Sequence, residues 1–210
     1  MAKGFGRLGN VTILGDDVQI RRADTADQGA IANTIAAAYR SDFEQLTKDM
    51  AKIARAISSG VQVDRFWVAE KNEKIIGVAA CTDINGRAVT ASRTDCRKEL
   101  GYVRGSLAHR VFDKEFTAQL TYPPDTGYIE FVGVLEAFRG QGIAKQLITQ
   151  IIDDNPQYRK FVLDVTDINR AGISAYRKLG FTEYNRIPAK HPRWEGFTEK
   201  IYMKYTRTGQ

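Results

Sequence analysis

The sequence is poor in the residues that build cross-linked or metal-rich proteins. Among its 210 residues are two cysteines and two histidines. Cys81 and Cys96 form no C-x-x-C pair, and two cysteines cannot frame a disulfide scaffold. Because only His109 and His191 are available, we expect no metal site. The sparse cysteine usage favours a reducing cytoplasmic compartment.

Long hydrophobic runs are also missing. No stretch approaches the roughly 18 apolar residues that a membrane-spanning helix needs. The residues after Met1 do not lead into the apolar core of a signal peptide. We therefore expect a cytoplasmic protein with no membrane attachment.

The composition supports a folded domain that binds an anion. Hydrophobic residues make up 43% of the chain and charged residues 27%, which excludes a disordered or collagen-like protein. The net charge of +6 favours nucleic acid, a membrane surface or a phosphorylated cofactor as partner. The basic C-terminal residues around Lys190, His191 and Arg193 are typical of a solvated face, so a nucleic-acid partner is disfavoured.

Hydrophobic patterning predicts a mixed α/β sheet with helices on its faces. We divide the chain into an N-terminal extension (residues 1–16), with one strand at Val11–Leu14, and a single domain (residues 17–207). Residues 83–125 are predicted to be an insertion within that domain, before its fourth core strand.

The insertion contains a predicted helical segment over residues 93–120. Two hypotheses account for its apolar side: a wall or lid over the substrate cleft, or a contact that forms a homodimer. The apolar positions are Leu100, Val103, Leu107, Val111 and Phe112.

A glycine-containing loop lies between a predicted strand and an amphipathic helix. In Arg139-Gly140-Gln141-Gly142-Ile143-Ala144, the two glycines leave space over the first N–H groups of the helix, where a diphosphate fits. An ordinary strand-to-helix turn is the alternative. The chain contains no Walker A string, and Lys145 stands where a dinucleotide-binding loop needs a small residue.

Two blocks of sequence resemble the GNAT superfamily of acyl-CoA-dependent N-acetyltransferases. Arg139, Gly142 and Ala144 match the first motif of that family. The second block has an asparagine, a tyrosine seven residues later, and a Gly-Phe pair after three more. It consists of Asn169, Tyr176, Gly180 and Phe181. The resemblance is specific over residues 128–184.

The resemblance implies acetyl-CoA as acyl donor and a primary amine, on a small molecule or a protein, as acceptor. It implies direct attack of the amine in a ternary complex, with the pantetheine arm between two splayed strands. Another acyl-CoA, or a non-catalytic CoA-binding module, is the alternative. The implied cofactor-binding residues are Val132, Gly133, Val134, Arg139, Gly140, Gln141, Gly142, Ile143, Ala144 and Asn169.

The same resemblance implies two catalytic residues. Glu130 is the candidate base for the amine, and strand alternation predicts that it shares a face with Val132 and Val134. The alternative is a carboxylate held in a structural salt bridge. Tyr176 is the candidate acid for the departing CoA thiolate, with a packed structural tyrosine as the alternative.

Overall fold

The computed structural model describes residues 7–8, 11–14, 18–116, 119–190 and 192–207. The strands of this part of the chain are β1 (Arg7–Leu8), β2 (Val11–Leu14), β3 (Val18–Arg22), β4 (Phe66–Lys71), β5 (Lys74–Thr82), β6 (Thr126–Val134), β7 (Lys160–Thr166), β8 (Thr182–Pro188) and β9 (Glu199–Thr206). They form one sheet in the order β1-β2-β3-β4-β5-β6-β7-β9-β8. Only β6 and β7 pair in parallel, so the sheet is mixed, as predicted.

Helices connect most of the strands. They are α1 (Gln28–Ala38), α2 (Arg40–Phe43), α3 (Met50–Ser58), α4 (Arg93–Leu100), α5 (Tyr102–Phe116), α6 (Ile143–Asp154), α7 (Arg170–Lys178) and α8 (Pro192–Glu195). Short 3-10 helices span Thr25–Asp27, Val63–Arg65 and Glu136–Phe138.

The helices cover both faces of the sheet and divide the core in two. On one side, called the α6 face, α6 and α7 pack on Trp67 and Phe161. On the other, called the α1 face, α1, α3, α4 and α5 pack on Phe66 and Val68. Burial of both sheet faces explains why β5 and β7 read as nearly continuous apolar runs.

The predicted N-terminal extension adds strands to the sheet. The strand predicted at Val11–Leu14 is confirmed as β2, which pairs antiparallel with β3, and β1 pairs with β2. Residues 1–6, 9–10 and 15–16 of the extension, residue 17 of the domain, and His191 of the basic C-terminal stretch lie outside the described residues.

A β-bulge interrupts β6. Glu130 lies opposite Ala80 of β5, whereas Gly133 lies opposite Val78, so β6 has one residue more than β5 over this interval. The extra residue is accommodated at Phe131, whose φ of +53° lies in the left-handed region that residues other than glycine rarely adopt.

The bulge reverses the alternation of side chains along β6. Glu130 and Phe131 contact residues of the α1 face, whereas Val132 and Val134 pack on the α6 face. The prediction that Glu130 shares a face with the two valines is therefore wrong. Strand parity assumes an unbroken ladder, and a bulge violates that assumption.

β6 and β7 separate after a short stretch of pairing. Their parallel register ends at Tyr128 with Val162. Beyond that point β6 continues to pair with β5, and β7 with β9 as far as Thr166. A wedge-shaped gap therefore opens between β6 and β7 toward their carboxyl ends.

The inserted helices pack on each other through a glycine. A Cβ at Gly105 would lie 2.3 Å from the carbonyl oxygen of Cys96, so α5 packs closely on α4 through its glycine side. With its glycine side against α4, α5 is oriented so that Phe112 is buried. Val103 and Leu107 are 79% and 54% exposed. Of the apolar positions named from the sequence, Phe112 therefore lies in the core, whereas Val103, Leu107 and Val111 are exposed.

The far end of α5 reaches the sheet next to the bulge. The ring of Phe116 contacts that of Phe131, with ring centroids 5.1 Å apart. The end of α5 therefore packs on β6 at the bulge, and the two hypotheses for the insertion stay predictions. Its exposed apolar side chains are those that a homodimer contact would cover.

Replacing Phe112 by alanine tests whether the insertion is part of the core. The Phe112 ring packs against Phe43 and Phe116, with centroids 5.6 and 5.2 Å away. We expect Phe112→Ala to lower the free energy of unfolding by about 3–5 kcal/mol, measured by urea denaturation. The exposed control Leu107→Ala should change it by at most about 0.5 kcal/mol. Equal losses in the two variants would contradict this packing.

Candidate active site

The loop between β6 and α6 presents unpaired backbone N–H groups. Gly140 and Gly142 have φ of +78° and +81°, and a Cβ at either position would meet no heavy atom within 4 Å. The first hydrogen bond of α6 joins the N–H of Gln146 to the carbonyl of Gly142, so the N–H groups of residues 143–145 have no acceptor within the helix. Together with the positive end of the helix dipole, these donors suit an anion such as a diphosphate.

Arg139 and Ile143 fix the loop at its two ends. Arg139 donates from Nε to the carbonyl of Val134 and from Nη2 to that of Ala38, both at 3.1 Å, so its charge lies beside the gap. The buried side chain of Ile143 anchors the start of α6 in the core. The structure thus brings together the predicted loop residues Arg139, Gly140, Gln141, Gly142, Ile143 and Ala144.

The backbone of β6 beyond the bulge borders the gap. The N–H of Leu135 bonds to the carbonyl of Ile76 at 2.9 Å. Because bonded and non-bonded residues alternate in an antiparallel pair, the backbone groups of Val134 point away from β5, into the gap. The carbonyl of Val132 accepts a hydrogen bond of 3.2 Å from the hydroxyl of Tyr39.

Gly133 contributes close packing at the same place. Because bonded and non-bonded residues alternate along β6, the N–H and carbonyl groups of Gly133 point toward β5, whereas those of Val134 point into the gap. A Cβ at Gly133 would lie 2.8 Å from the Cβ of Ala38. The absence of a side chain therefore allows α1 and the ring of Tyr39 to approach β6.

Asn169 is the N-cap of α7. Its Oδ1 accepts a hydrogen bond of 2.9 Å from the N–H of Gly172, and its side chain is exposed. A Cβ at Gly172 would lie 2.8 Å from the Asn169 Nδ2. Gly172 therefore packs closely on the cap, and a side chain at this position would have to displace that of Asn169.

Tyr176 has a buried ring and a hydroxyl without a protein partner. The residue is 8% exposed, and its hydroxyl bonds to no other described residue. Since every fully buried side-chain nitrogen or oxygen in the described part of the chain has a partner, this hydroxyl contacts solvent. Burial and the charge of Asp164 raise the pKa of Tyr176. Burial also raises the pKa of Tyr39, and the nearby Tyr176 adds to that shift. Both hydroxyls stay protonated near neutral pH.

The carboxylate of Glu130 is buried and fully engaged. Its Oε2 accepts from Arg87 Nη2 at 2.6 Å and Nε at 2.9 Å. Its Oε1 accepts from the N–H of Ala88 at 2.8 Å and from the Thr82 hydroxyl at 3.1 Å. This geometry favours the structural salt bridge over a base that is free to receive a proton.

A second carboxylate, Asp164, lies at the mouth of the gap. It is two residues beyond Val162, the last residue of β7 that pairs with β6. Its neighbours Leu163 and Val165 pack on the α6 face, so the Asp164 side chain lies on the α1 face. Sequence reasoning missed it, although a lone acidic residue in an otherwise apolar strand was the available signal.

Asp164 has fewer tight partners than Glu130. It accepts a hydrogen bond from the hydroxyl of Tyr128. The Lys200 Nζ lies 3.9 Å from its Oδ2, and that ammonium group bonds to Glu115 at 2.7 Å. The Asp164 side chain is 23% exposed, so it keeps contact with solvent.

Tyrosine rings line the recess around Asp164. Tyr122 stacks on Tyr128 with centroids 5.8 Å apart, and its hydroxyl is 3.3 Å from that of Tyr184. Tyr202 lies opposite Asp164 on β9, in edge contact with Tyr184. Aromatic faces beside carboxylates attract cations, and two of these rings already do so: Arg87 lies 5.3 Å from the centroid of Tyr128, and Lys204 lies 5.7 Å from that of Tyr184.

The described residues form no metal-binding cluster, and both thiols are buried. In the described ranges no three His, Cys, Asp or Glu side chains are grouped to hold a metal ion. Burial raises the pKa of Cys81 to about 12 and that of Cys96 to about 11, so neither thiol ionises near neutral pH. No helix among the described residues has the length and apolarity to cross a membrane.

Comparisons with known proteins agree with this geometry. A model of the acetyltransferase (GNAT) family matches residues 31–181. The chain therefore belongs to the GNAT family of acetyltransferases, and the resemblance predicted from its motifs is confirmed.

Solved structures share the fold at low identity. An N-acetyltransferase from Staphylococcus aureus Mu50 is 20% identical, with a TM-score of 0.60 over 89% of this chain and 99% of that one. The yncA protein of Salmonella typhimurium, solved with its cofactor acetyl-CoA, is 18% identical, with a TM-score of 0.58 over 92% of this chain and 95% of that one. The predicted α/β fold class is confirmed.

A curated relative matches a shorter segment. The N-alpha-acetyltransferase 30 of Schizosaccharomyces pombe is 36% identical over 63 residues, which are 29% of this chain. The match spans 42% of that protein's length.

Replacing Glu130 by glutamine tests its structural role. The change leaves Arg87 buried without its counter-charge, so we expect the free energy of unfolding to fall by about 3 kcal/mol in urea denaturation. The exposed control Glu73→Gln, in the turn between β4 and β5, should leave it unchanged. A Glu130→Gln variant as stable as the parent would contradict the assignment.

Proposed function

We propose that this protein transfers the acetyl group of acetyl-CoA to a primary amine by direct attack in a ternary complex. The observation that carries the proposal is the gap between β6 and β7, which opens beside the N-terminus of α6. A backbone edge and an anion-binding helix end are thereby placed within one groove. On the cysteine usage we also propose a cytoplasmic location.

Acetyl-CoA would be held largely by backbone groups. Its diphosphate would accept from the N–H groups of residues 140–145, with Arg139 supplying a fixed positive charge. The pantetheine arm would lie along β6 in the gap and bond to the backbone of Val134. Asn169, at the start of α7, would border the same groove. The solved relative that contains acetyl-CoA supports this donor.

The acceptor amine must lose a proton before it attacks. A free alkylamine has a pKa near about 10.4, so a base is needed near neutral pH. The motif resemblance assigns this role to Glu130, but its partners Arg87, Ala88 and Thr82 already occupy both oxygens. We propose that Asp164, whose hydrogen-bond partner is the Tyr128 hydroxyl, takes the proton instead, directly or through a water.

Tyr176 would act as the acid. Its raised pKa keeps the hydroxyl protonated, and since no described residue accepts that proton, it is available for the sulfur of CoA. The carbon–nitrogen bond forms as the carbon–sulfur bond breaks, and the thiolate takes the Tyr176 proton. The second proton released by the nitrogen restores the tyrosine.

A protein N-terminus is one acceptor supported by the comparisons. The curated relative is named as an N-alpha-acetyltransferase, although the match covers less than half of it. Small alkylamines suit the tyrosine-lined recess equally well. Both classes therefore belong in the experiment that tests the function.

The test is an acceptor screen that follows release of free thiol from acetyl-CoA. The panel contains lysine, aminoglycosides, polyamines and short peptides with free N-termini, with propionyl-CoA as an alternative donor. We expect amine-dependent thiol release with at least one acceptor. Tight CoA binding without turnover on any amine would instead indicate a non-catalytic CoA-binding module.

A substitution at Gly142 tests the diphosphate site. A β-branched side chain at φ +81° is strained and would cover the N–H groups at the start of α6. We expect Gly142→Val to weaken CoA binding at least about tenfold in calorimetry, since bonds to a charged group contribute about 1.5–3 kcal/mol each.

Gly101 supplies a matched control for that experiment. It has φ of +82° and open surroundings, but it lies between α4 and α5, away from the loop. Gly101→Val should therefore lose comparable stability and keep its CoA affinity. An equal loss of affinity in both variants would contradict the assignment of the loop.

Variants of Asp164 and Tyr176 test the proton transfers. We expect Asp164→Asn to lower kcat/KM by about 100-fold or more, in the range usual for a lost general base. Tyr176→Phe should lower kcat with little change in KM for acetyl-CoA, because the hydroxyl is needed only as the thiolate leaves. Full activity in either variant, with folding verified by circular dichroism, would contradict that residue's role.

A further inference from the structure

Tyr39 covers part of the gap between β6 and β7 on the α1 face. Its hydroxyl donates to the carbonyl of Val132 at 3.2 Å. Its ring lies against β6, because a Cβ at Gly133 would be 3.3 Å from the Cε2 atom of Tyr39. The Tyr39 side chain therefore reaches the β6 edge of the gap two residues before Val134, whose backbone would bind the pantetheine arm.

Two further hydrogen bonds hold the end of α1 at this place. The N–H of Tyr39 donates to the carbonyl of Ile35 at 3.0 Å, which closes the last turn of α1. The carbonyl of the preceding residue, Ala38, accepts from Arg139 Nη2 at 3.1 Å. Because both the backbone and the hydroxyl of Tyr39 are bonded, its ring has little room to move out of the gap.

Phenylalanine rings continue the cover that Tyr39 provides. Phe131, at the bulge, is in edge contact with Tyr39, with ring centroids 6.4 Å apart. The Phe131 ring also contacts Phe66 and Phe116, with centroids 6.2 and 5.1 Å away. A packed row of this kind takes up added volume only by displacing side chains. Tyr39 is therefore backed by the hydrophobic core of the α1 face.

The position of Tyr39 corresponds to the acyl end of the donor. The diphosphate site follows the carboxyl end of β6, so an arm that enters from there runs back along β6 toward the paired residues Tyr128 and Val162. A strand advances about 3.3 Å per residue, which places whatever follows the arm's contact at Val134 beside Val132, about 7 Å further on. The acyl group would there meet the ring of Tyr39.

The amine acceptor has a different side of the gap available to it. Tyr39 bonds to β6, whereas Asp164, the proposed base, belongs to β7. The covered side and the proposed base thus border opposite sides of the gap. A residue at the position of Tyr39 can therefore limit the size of the acyl group without blocking the amine.

We propose that Tyr39 determines donor specificity by limiting the acyl group to a short chain, so that acetyl is accepted and butyryl is excluded. The inference rests on the proposed acetyl transfer and adds to it the residue that selects the donor.

The test compares acetyl-CoA with butyryl-CoA at a fixed concentration of the same amine acceptor, by release of free thiol. The ratio of two kcat/KM values measured on one preparation does not depend on the fraction of folded enzyme. We expect kcat/KM of the parent to be lower with butyryl-CoA by at least about tenfold, because an added methylene in a confined site costs on this scale. Equal values for the two donors overturn the inference.

Two variants shorten the side chain of Tyr39 in steps. We expect the butyryl-to-acetyl ratio of kcat/KM to rise in Tyr39→Leu and to rise further, by at least about tenfold over the parent, in Tyr39→Ala. Both variants are measured because Tyr39→Leu keeps an apolar side chain against β6 if Tyr39→Ala fails to fold. A ratio that stays at the parent value in the folded variants overturns the inference.

Tyr158 supplies a matched control for these variants. Its hydroxyl also bonds to a protein acceptor, Asp83 at 2.9 Å, and it precedes the amino end of β7, away from the gap. Tyr158→Ala should therefore keep the donor ratio of the parent. An equal rise in Tyr158→Ala and Tyr39→Ala overturns the inference.

The outcomes separate this inference from the function on which it rests. If the parent releases no thiol from acetyl-CoA with any acceptor, the proposed acetyl transfer fails, and the inference fails with it. If the parent acetylates an amine but uses butyryl-CoA equally well, only the inference fails.

Discussion

Beyond Tyr128 and Val162, β6 and β7 stop exchanging hydrogen bonds, and each remains paired only on its other side. Backbone donors and acceptors at such an edge need partners, which makes the edge a template for an extended ligand. The bulge at Phe131 lies in the same interval, where it bends β6 and increases its twist. The donor groove, the helix end at α6 and the position of Asp164 all depend on this separation.

The two carboxylates beside the gap differ in their surroundings. Glu130 is enclosed by Arg87, the N–H of Ala88 and Thr82, and it ties the insertion to β6. Asp164 meets a tyrosine hydroxyl and a distant ammonium group. A carboxylate with saturated partners stabilises the fold, whereas one with spare acceptor capacity can take a substrate proton. Which of the two carboxylates is free to act as a base therefore depends on how many hydrogen-bond donors it already accepts from.

Local patterns were sufficient to predict much of this molecule. The motif around Arg139 and Gly142 and the spacing from Asn169 to Tyr176 gave the family, because helix ends and loops depend on nearby residues. The partner of Glu130 did not follow from the sequence, since Arg87 is 43 residues away and lies in the insertion. The family resemblance implied a bulge before the splayed strands, but its position did not follow from the sequence, because Phe131 is not a glycine and shows no local signal for a positive φ.

The insertion shows the same limit in its packing. Periodicity predicted an apolar side for this segment but not how that side is divided: Val103 and Leu107 are exposed, while Gly105 and Ala108 face α4. Close contact through small residues determined the rotation of α5, and hydrophobic periodicity does not register such contacts. That rotation is also what directs Glu115 toward Lys200.

Amide hydrogen exchange with and without acetyl-CoA tests the central claim most directly. If the coenzyme lies in the gap, the amides of Val134 and of residues 140–145 should exchange more slowly when it is bound. Amides on β1 to β3, at the far edge of the sheet, should be unaffected. Unchanged exchange at the β6 edge and the α6 loop, at saturating coenzyme, would contradict the account.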